Sequence, residues 1–327
     1  MWLWPYIILL CVQFSQAAPT SLGPTSASEA EVLWQEGQIA VTQARYLDAV
    51  HYFQRLVDRY PGKPGYWKAH YFLGKSFLEL KQPKKSLPFL KAYLSASGVS
   101  KDSIRARNTL GNTYLALGLF HEAYLTTLEV DELSKKEILP SDTVVESLLV
   151  KTQALLGLGH EIRAISAIDA AEKQLSEKNS SEVKSQVYFL RLKLKIHHCN
   201  QFPGPGPLNE GQLRDQLERR GTCLVEAVLI LKKVLTAENS KTASQASDEI
   251  AESFKNYYQS CTSPIAAFKG ITSVEKQRFK TELSDQLTQD FKKKSHLALE
   301  FLTSWKSQLS SEMNSTVSQI EKKLQNL

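Results

Sequence analysis

Apolar residues along this chain recur at the three- and four-residue spacing of amphipathic helices, in segments short enough to pair. Leu33, Gly37 and Ala40 form one stripe. Tyr46, Ala49, Phe53 and Leu56 form the next, which Pro61-Gly62 halts because proline cannot continue the hydrogen-bond ladder. The same pairing of short helices is predicted over 66–98, 103–136 and 143–177, with one more helix over 183–199. Residues 200–211 then hold three Pro and three Gly, which excludes regular structure. Helical periodicity resumes at 213–235 and 246–258. From Val274, Phe279, Leu283, Leu287 and Phe291 fall every four residues, and Leu302, Trp305, Leu309, Met313, Val317, Ile320 and Leu324 extend the stripe. With no Gly after Gly270 and no Pro after Pro264, one or two long amphipathic helices end the chain. The pattern predicts an all-α protein.

Within that pattern a signature repeats. Leu73-Gly74-x-x-Phe77 reappears as Leu110-Gly111-x-x-Tyr114, and Gly37 lies one period further upstream, an interval of 37 residues both times. Ala44, Tyr46, Ala49, Phe53 and Pro61 follow Gly37, and Gly118, Phe120 and Ala123 follow Gly111. A glycine among helix formers at a fixed period marks close approach of stacked helix pairs. This is the tetratricopeptide (TPR) pattern, and it predicts a helical solenoid of about four repeats with a helical C-terminal module. Pro83 and Ser86 depart from it in the second repeat, and Thr152 replaces the packing glycine in the fourth. Ser28 with Glu31 reads as a capping box opening the first helix. The C-terminal helices are expected to cap the last repeat, or else to pair with a partner helix. The expected organisation is a signal peptide at 1–17, a flexible linker at 18–28, the TPR solenoid over 29–199, the Pro/Gly loop at 200–211 and the helical module over 212–327.

The first 17 residues carry no charged side chain, and residues 2–14 form an apolar run too short to span a bilayer. Ser15 and Ala17 supply small residues at −3 and −1, so export with cleavage after Ala17 is expected. A retained anchor is the alternative. Cys11 follows bulky Leu10, which does not suit a lipid acceptor. No other segment approaches a transmembrane span. Export would leave Cys199, Cys223 and Cys261. Cys199 and Cys223 flank the Pro/Gly loop and are the favoured disulfide; three reduced helical cysteines are the alternative. The net charge of +6 is uneven: residues 18–100 hold 10 Lys/Arg against 6 Asp/Glu, whereas 101–200 balance at 13 each. This surplus suits acidic partners and gives no nucleic-acid footprint.

Catalytic signatures are missing: there is no G-x-S-x-G, Walker loop, H-E-x-x-H or paired CxxC. The chain therefore reads as a non-enzyme with no cofactor and no metal. His197, His198 and Cys199 are adjacent, but neighbouring helical residues diverge by about 100° and do not share one ion. Lys292-Lys293-Lys294 reads as a solvated face, with anionic lipid contact the alternative. In TPR proteins the first helices of successive repeats line a groove. The corresponding residues are Glu31, Trp34 and Gln38, then Lys68, Tyr71 and Lys75, then Arg105, Asn108 and Asn112. Standing three and four apart, each trio shares a helix face. Lys, Arg and Asn there resemble a carboxylate clamp, which grips a peptide's carboxylates by charge-assisted bonds. Leu148 and Thr152 in the fourth repeat leave it incomplete, and a generic polar face is the alternative.

Phe53-Gln-Arg-Leu-Val-Asp-Arg-Tyr-Pro61 and Ala69-His-Tyr-Phe-Leu-Gly-Lys-Ser-Phe77 resemble the exported TPR proteins of Gram-negative bacteria, of the BamD and CpoB type. The resemblance covers 30–177 and implies a longer link between repeats, a periplasmic or envelope location and a protein or peptide partner. The reading is a non-catalytic periplasmic adaptor or scaffold in envelope assembly or maintenance. The alternatives are a structural protein self-associating through its C-terminal helices, or a regulatory subunit of an envelope enzyme. Asn179-Ser-Ser and Asn314-Ser-Thr form glycosylation sequons, which keeps a eukaryotic secreted protein open.

Overall fold

The computed structural model describes residues 24–61, 66–97, 103–136, 138–203, 208–262 and 273–327, with side chains described from Glu29 and, in the last span, from Thr281. The signal-peptide expectation at 1–17 lies outside these residues. The described residues form thirteen α-helices and one 3₁₀ turn, with no strand. Contacts divide the chain into two compact units, residues 1–93 and 94–327.

The first unit holds α1 (Pro24–Thr42), α2 (Tyr46–Arg59), α3 (Trp67–Glu79) and α4 (Pro83–Ser97), whose last residues belong to the second unit. Leu33, Phe53, Leu56, Leu73 and Phe77 make its core. Gly37 and Gly74 lie at close helix approaches. A Cβ at Gly37 would stand 2.7 Å from the Phe53 ring, and one at Gly74 would stand 2.5 Å from Leu90 Cγ. One expectation changes: α1 begins at Pro24, so Ser28 lies inside the helix rather than capping it, and residues 24–28 of the expected linker are helical. Proline suits the first turn because its missing N–H has no partner there in any case.

The helix-to-helix turns repeat as faithfully as the glycines. Ala44, Lys81 and Gly118 all take left-handed φ, of 56°, 60° and 73°, at the same 37-residue interval. After each, the next amide reaches back five residues: Arg45 N to Ala40 O at 2.8 Å, Gln82 N to Phe77 O at 2.8 Å and Leu119 N to Tyr114 O at 2.9 Å. That bond closes a helix end whose last carbonyls lack partners. Gly159 repeats the arrangement with φ of 76°.

The second unit contains α5 (Ile104–Ala116), α6 (Phe120–Lys136), α7 (Ser141–Gly157), α8 (Glu161–Gln174), α9 (Ser181–Asn200), α10 (Glu210–Thr236), α11 (Ser240–Thr262), α12 (Ser273–Trp305) and α13 (Ser311–Gln325). Each first helix packs on its own second helix and on the next first helix: α5 on α6 and α7, α7 on α8 and α9, α9 on α10 and α11. TPR-type stacking therefore extends one hairpin past the last recognisable repeat, and the fold is an all-α TPR solenoid.

The Pro/Gly loop is not where the chain divides. Helix α9 ends at Asn200 and α10 begins at Glu210, where Asn209 and Gln212 form a capping box, so Gly211 is helical. Cys199 and Cys223 are disulfide-bonded across this connection, as favoured from the sequence. Leu192, Ile196 and Cys199 share one core with α10 to α13. The C-terminal stripe is consumed in that core: Leu283, Leu287, Phe291, Leu302, Trp305, Met313, Val317, Ile320 and Leu324 are buried against it. Phe279 lies outside the described side chains. Helices α12 and α13 pack on α11, and α12 also on α10, so they cap the stack. Burial of each such side chain contributes about 1.5–3 kcal/mol, so freeing the stripe to pair with a second copy carries a large cost.

Candidate interaction surface on the first helices

The expected groove residues divide between the two units. In the first, Trp34 is half-buried, edge-on to Phe53 and Phe72 with centroids 5.7 Å away in both cases. Tyr71 is half-buried between Phe72 at 5.3 Å and Tyr93 at 5.8 Å. These rings pack the hairpins together and offer an edge, not a free face. Lys68 is exposed, Gln38 and Lys75 are half-buried, and neither lysine has an ion pair among the described residues. Glu31 is exposed and accepts a hydrogen bond from Gln35.

In the second unit the Asn–Arg trio does not act as one. Asn108 is only 4% exposed. Its Nδ2 donates to the Thr143 carbonyl oxygen at 2.8 Å and to Glu146 Oε2 at 3.4 Å. It fastens α5 to α7 and is withdrawn from any clamp, because its helix face is the one against which α7 packs. Arg105 and Asn112 remain exposed, seven residues apart and therefore about 10 Å along one face. Gly111 permits close packing, since a Cβ there would lie 2.7 Å from Val150. Thr152 is buried with its hydroxyl donating to Leu148 O at 2.7 Å, and Leu148 packs against the core. Neither adds a ligand-binding group.

Sequence reasoning missed the polar contacts further along the first helices. Lys193 on α9 pairs with Glu249 on α11 at 3.6 Å and lies 5.7 Å over the Phe189 ring. The signal was available: α9 continues the stacking, and Phe189 and Lys193 stand four apart on one face. Two open clefts, of about 310 and 390 Å³, are lined without any predicted groove residue.

The remaining candidates have structural roles. Arg220 is buried and donates to Asn200 Oδ1 and Ser260 Oγ, both at 2.9 Å, tying α9, α10 and α11 together beside the disulfide. Burial pushes the Cys261 thiol up to about 12 and raises the Tyr257 phenol far above its ordinary value. Asn179 is buried, and its Nδ2 donates to Asp142 Oδ1 at 2.6 Å and Ser141 Oγ at 3.0 Å, occupying the nitrogen that a glycan needs. Asn314 is half-buried on α13. Lys292 and Lys293 are exposed, whereas Lys294 donates to Thr222 at 2.9 Å. Among the described residues no group of three or more His, Cys, Asp or Glu is placed to hold a metal, and no helix is long and apolar enough to cross a membrane.

No protein-family model matches the chain, and no curated protein sequence matches it. Among solved structures, the crystal structure of the P58(IPK) TPR domain aligns over 91% of this chain and 99% of its own length, at 13% identity and a TM-score of 0.27.

Proposed function

We propose that this protein is a non-catalytic adaptor that holds a protein or peptide partner on the polar side chains of its first helices, in the periplasm or envelope of a Gram-negative cell. The observation that carries this reading is the stacking itself. First helices α5, α7, α9 and α11 contact one another in succession and place Arg105, Asn112, Lys193 and Glu249 along them. Extended arrays of this kind offer long surfaces for polypeptide contact and build no enclosed site. The Cys199–Cys223 disulfide supports export, since such bonds persist in oxidising compartments. The apolar, uncharged segment 1–17 supports it as well.

The test is affinity capture from native envelope with a tagged full-length chain, followed by mass spectrometry. A defined envelope protein, lost when Arg105 and Lys75 are both changed to Glu, is the expected result. Capture that is indifferent to both reversals removes the first-helix surface from the proposal. The self-association alternative is disfavoured by the buried C-terminal stripe.

A further inference from the structure

Between Trp67 and Tyr93 the chain carries Lys68, Lys75, Lys81, Lys84, Lys85 and Lys91 against a single carboxylate, Glu79. This one hairpin, α3–α4, accounts for the whole basic surplus of the first two repeats. Lys81 occupies the left-handed turn, and Lys84 and Lys85 follow three and four residues later in the first turn of α4. Lys68, Lys81, Lys84 and Lys85 are exposed, and Lys85 lies 5.8 Å over the Phe77 ring. None of these four, nor Lys75, has an ion pair among the described residues. Several cations elsewhere are neutralised across helices, as Lys151 is by Asp131 at 2.7 Å, Lys195 by Glu226 at 2.7 Å and Lys323 by Asp248 at 2.5 Å. Like charges gathered at one turn repel, and a ligand of opposite sign relieves that repulsion.

We propose that the α3–α4 hairpin, centred on Lys81, Lys84 and Lys85, is a docking surface for an acidic, Asp/Glu-rich segment of a partner protein. The charge complementarity selects an anion, and the protein-binding reading above makes that anion the carboxylates of a polypeptide. Every cation of the hairpin is a lysine, a compact point charge that pairs with carboxylates without demanding two-point geometry. Trp67 at the start of α3 is exposed, but among the described residues 79–93, which carry Lys81, Lys84 and Lys85, no large apolar side chain is, so the turn itself lacks inserting groups. Lysines at the rim of an interface accelerate encounter more than they tighten it, so the binding is fast and salt-dependent. The proposal rests on the protein-binding reading above and adds the chemistry of the partner and a place for it outside the first-helix face.

The experiment uses the full chain and a fluorescein-labelled peptide of Glu and Ala, followed by anisotropy at about 50 and about 300 mM salt. A Gln-for-Glu peptide, a single-stranded oligonucleotide and phosphatidylglycerol vesicles serve as competing probes. The expected result is binding of the Glu peptide that weakens with salt and falls about tenfold or more in Lys81→Gln/Lys84→Gln/Lys85→Gln, while Lys292→Gln/Lys293→Gln on α12 leaves it unchanged. Circular dichroism melts confirm that both variants fold. Equal affinity for the Gln peptide, an unaffected triple variant, or tighter binding of the oligonucleotide or vesicles overturns the proposal. The triple variant is also run in the capture experiment. A partner retained there leaves the adaptor reading standing while this surface fails.

Discussion

Gly221 of α10 approaches Tyr257 of α11 so closely that a Cβ on Gly221 would lie 2.5 Å from the phenolic oxygen. The contact sits beside the disulfide, where α9, α10 and α11 share one core. Tyr257 is fully buried and its ring is 5.5 Å from Phe291, so it has little room to retreat. Gly221→Ala is therefore predicted to destabilise the second unit by about 1–3 kcal/mol despite the better helix propensity of alanine. A urea titration measures this directly, and a midpoint equal to or above that of the parent chain refutes the packing argument.

Alkaline pH is predicted to unfold the protein early. The buried Cys261 thiol is held up to about 12, and Tyr257 is displaced in the same direction, both through loss of solvent around the charged form. An unfolded thiol ionises near 9, so between about pH 9 and 12 the unfolded state binds fewer protons than the folded one. Stability is thus undiminished by this group below pH 9 and falls as pH rises through that window. Cys261→Ala should flatten the decline in melting temperature between pH 9 and 11; parallel profiles for the two proteins would falsify the assignment.

Turn geometry makes a paired prediction. Ala44 holds a left-handed conformation that costs a side-chain-bearing residue about 1 kcal/mol, whereas Gly118 meets the same demand freely. Ala44→Gly should raise stability by about 0.5–1 kcal/mol, and Gly118→Ala should lower it by about 1 kcal/mol. Opposite shifts of the denaturation midpoint are the expected outcome, and shifts of the same sign contradict it.

Asn108 and its neighbours separate packing from binding. Asn108→Ala leaves the Thr143 carbonyl without its side-chain donor in a buried setting and is predicted to cost about 1–2 kcal/mol. Arg105→Ala and Asn112→Ala, both exposed, should change stability by no more than about 0.5 kcal/mol. Thermal melts of the three variants decide the matter: equal effects at all three positions would mean that the α5–α7 link is not formed.

The repeat architecture was legible because its determinants are local. The 37-residue glycine period, the apolar stripes and the Pro/Gly break each act within one hairpin, and α2 to α9 fall where those signals place them. The disulfide was legible because its cysteines flank the break. What escaped depends on neighbours distant in sequence. Asn108 reads as a ligand-binding residue from its own helix; only the arrival of α7 shows that its amide is spent on Thr143. Trp34 likewise reads as exposed until Phe53 and Phe72 close around it. The extra hairpin α9–α10 has no glycine on its first helix, and the close approach at Gly221 on its second helix is made to Tyr257 of α11. Ala44 and Gly118 stood in the repeat pattern, but the left-handed turn they share with Lys81 was not legible, because only one of the three is glycine.

The closed end of the helix stack limits how this array can change in length. Helices α12 and α13 occupy the face of α11 on which another hairpin would have to dock. A duplicated repeat appended after α13 would find no apolar surface to cover and would hang as an unpacked tail. Lengthening is open only upstream, between existing hairpins, where each added pair both offers and accepts a face. The same closure makes the last helices unsuitable for trimming: a chain stopped before α12 would present the buried row from α10 and α11 to water and aggregate.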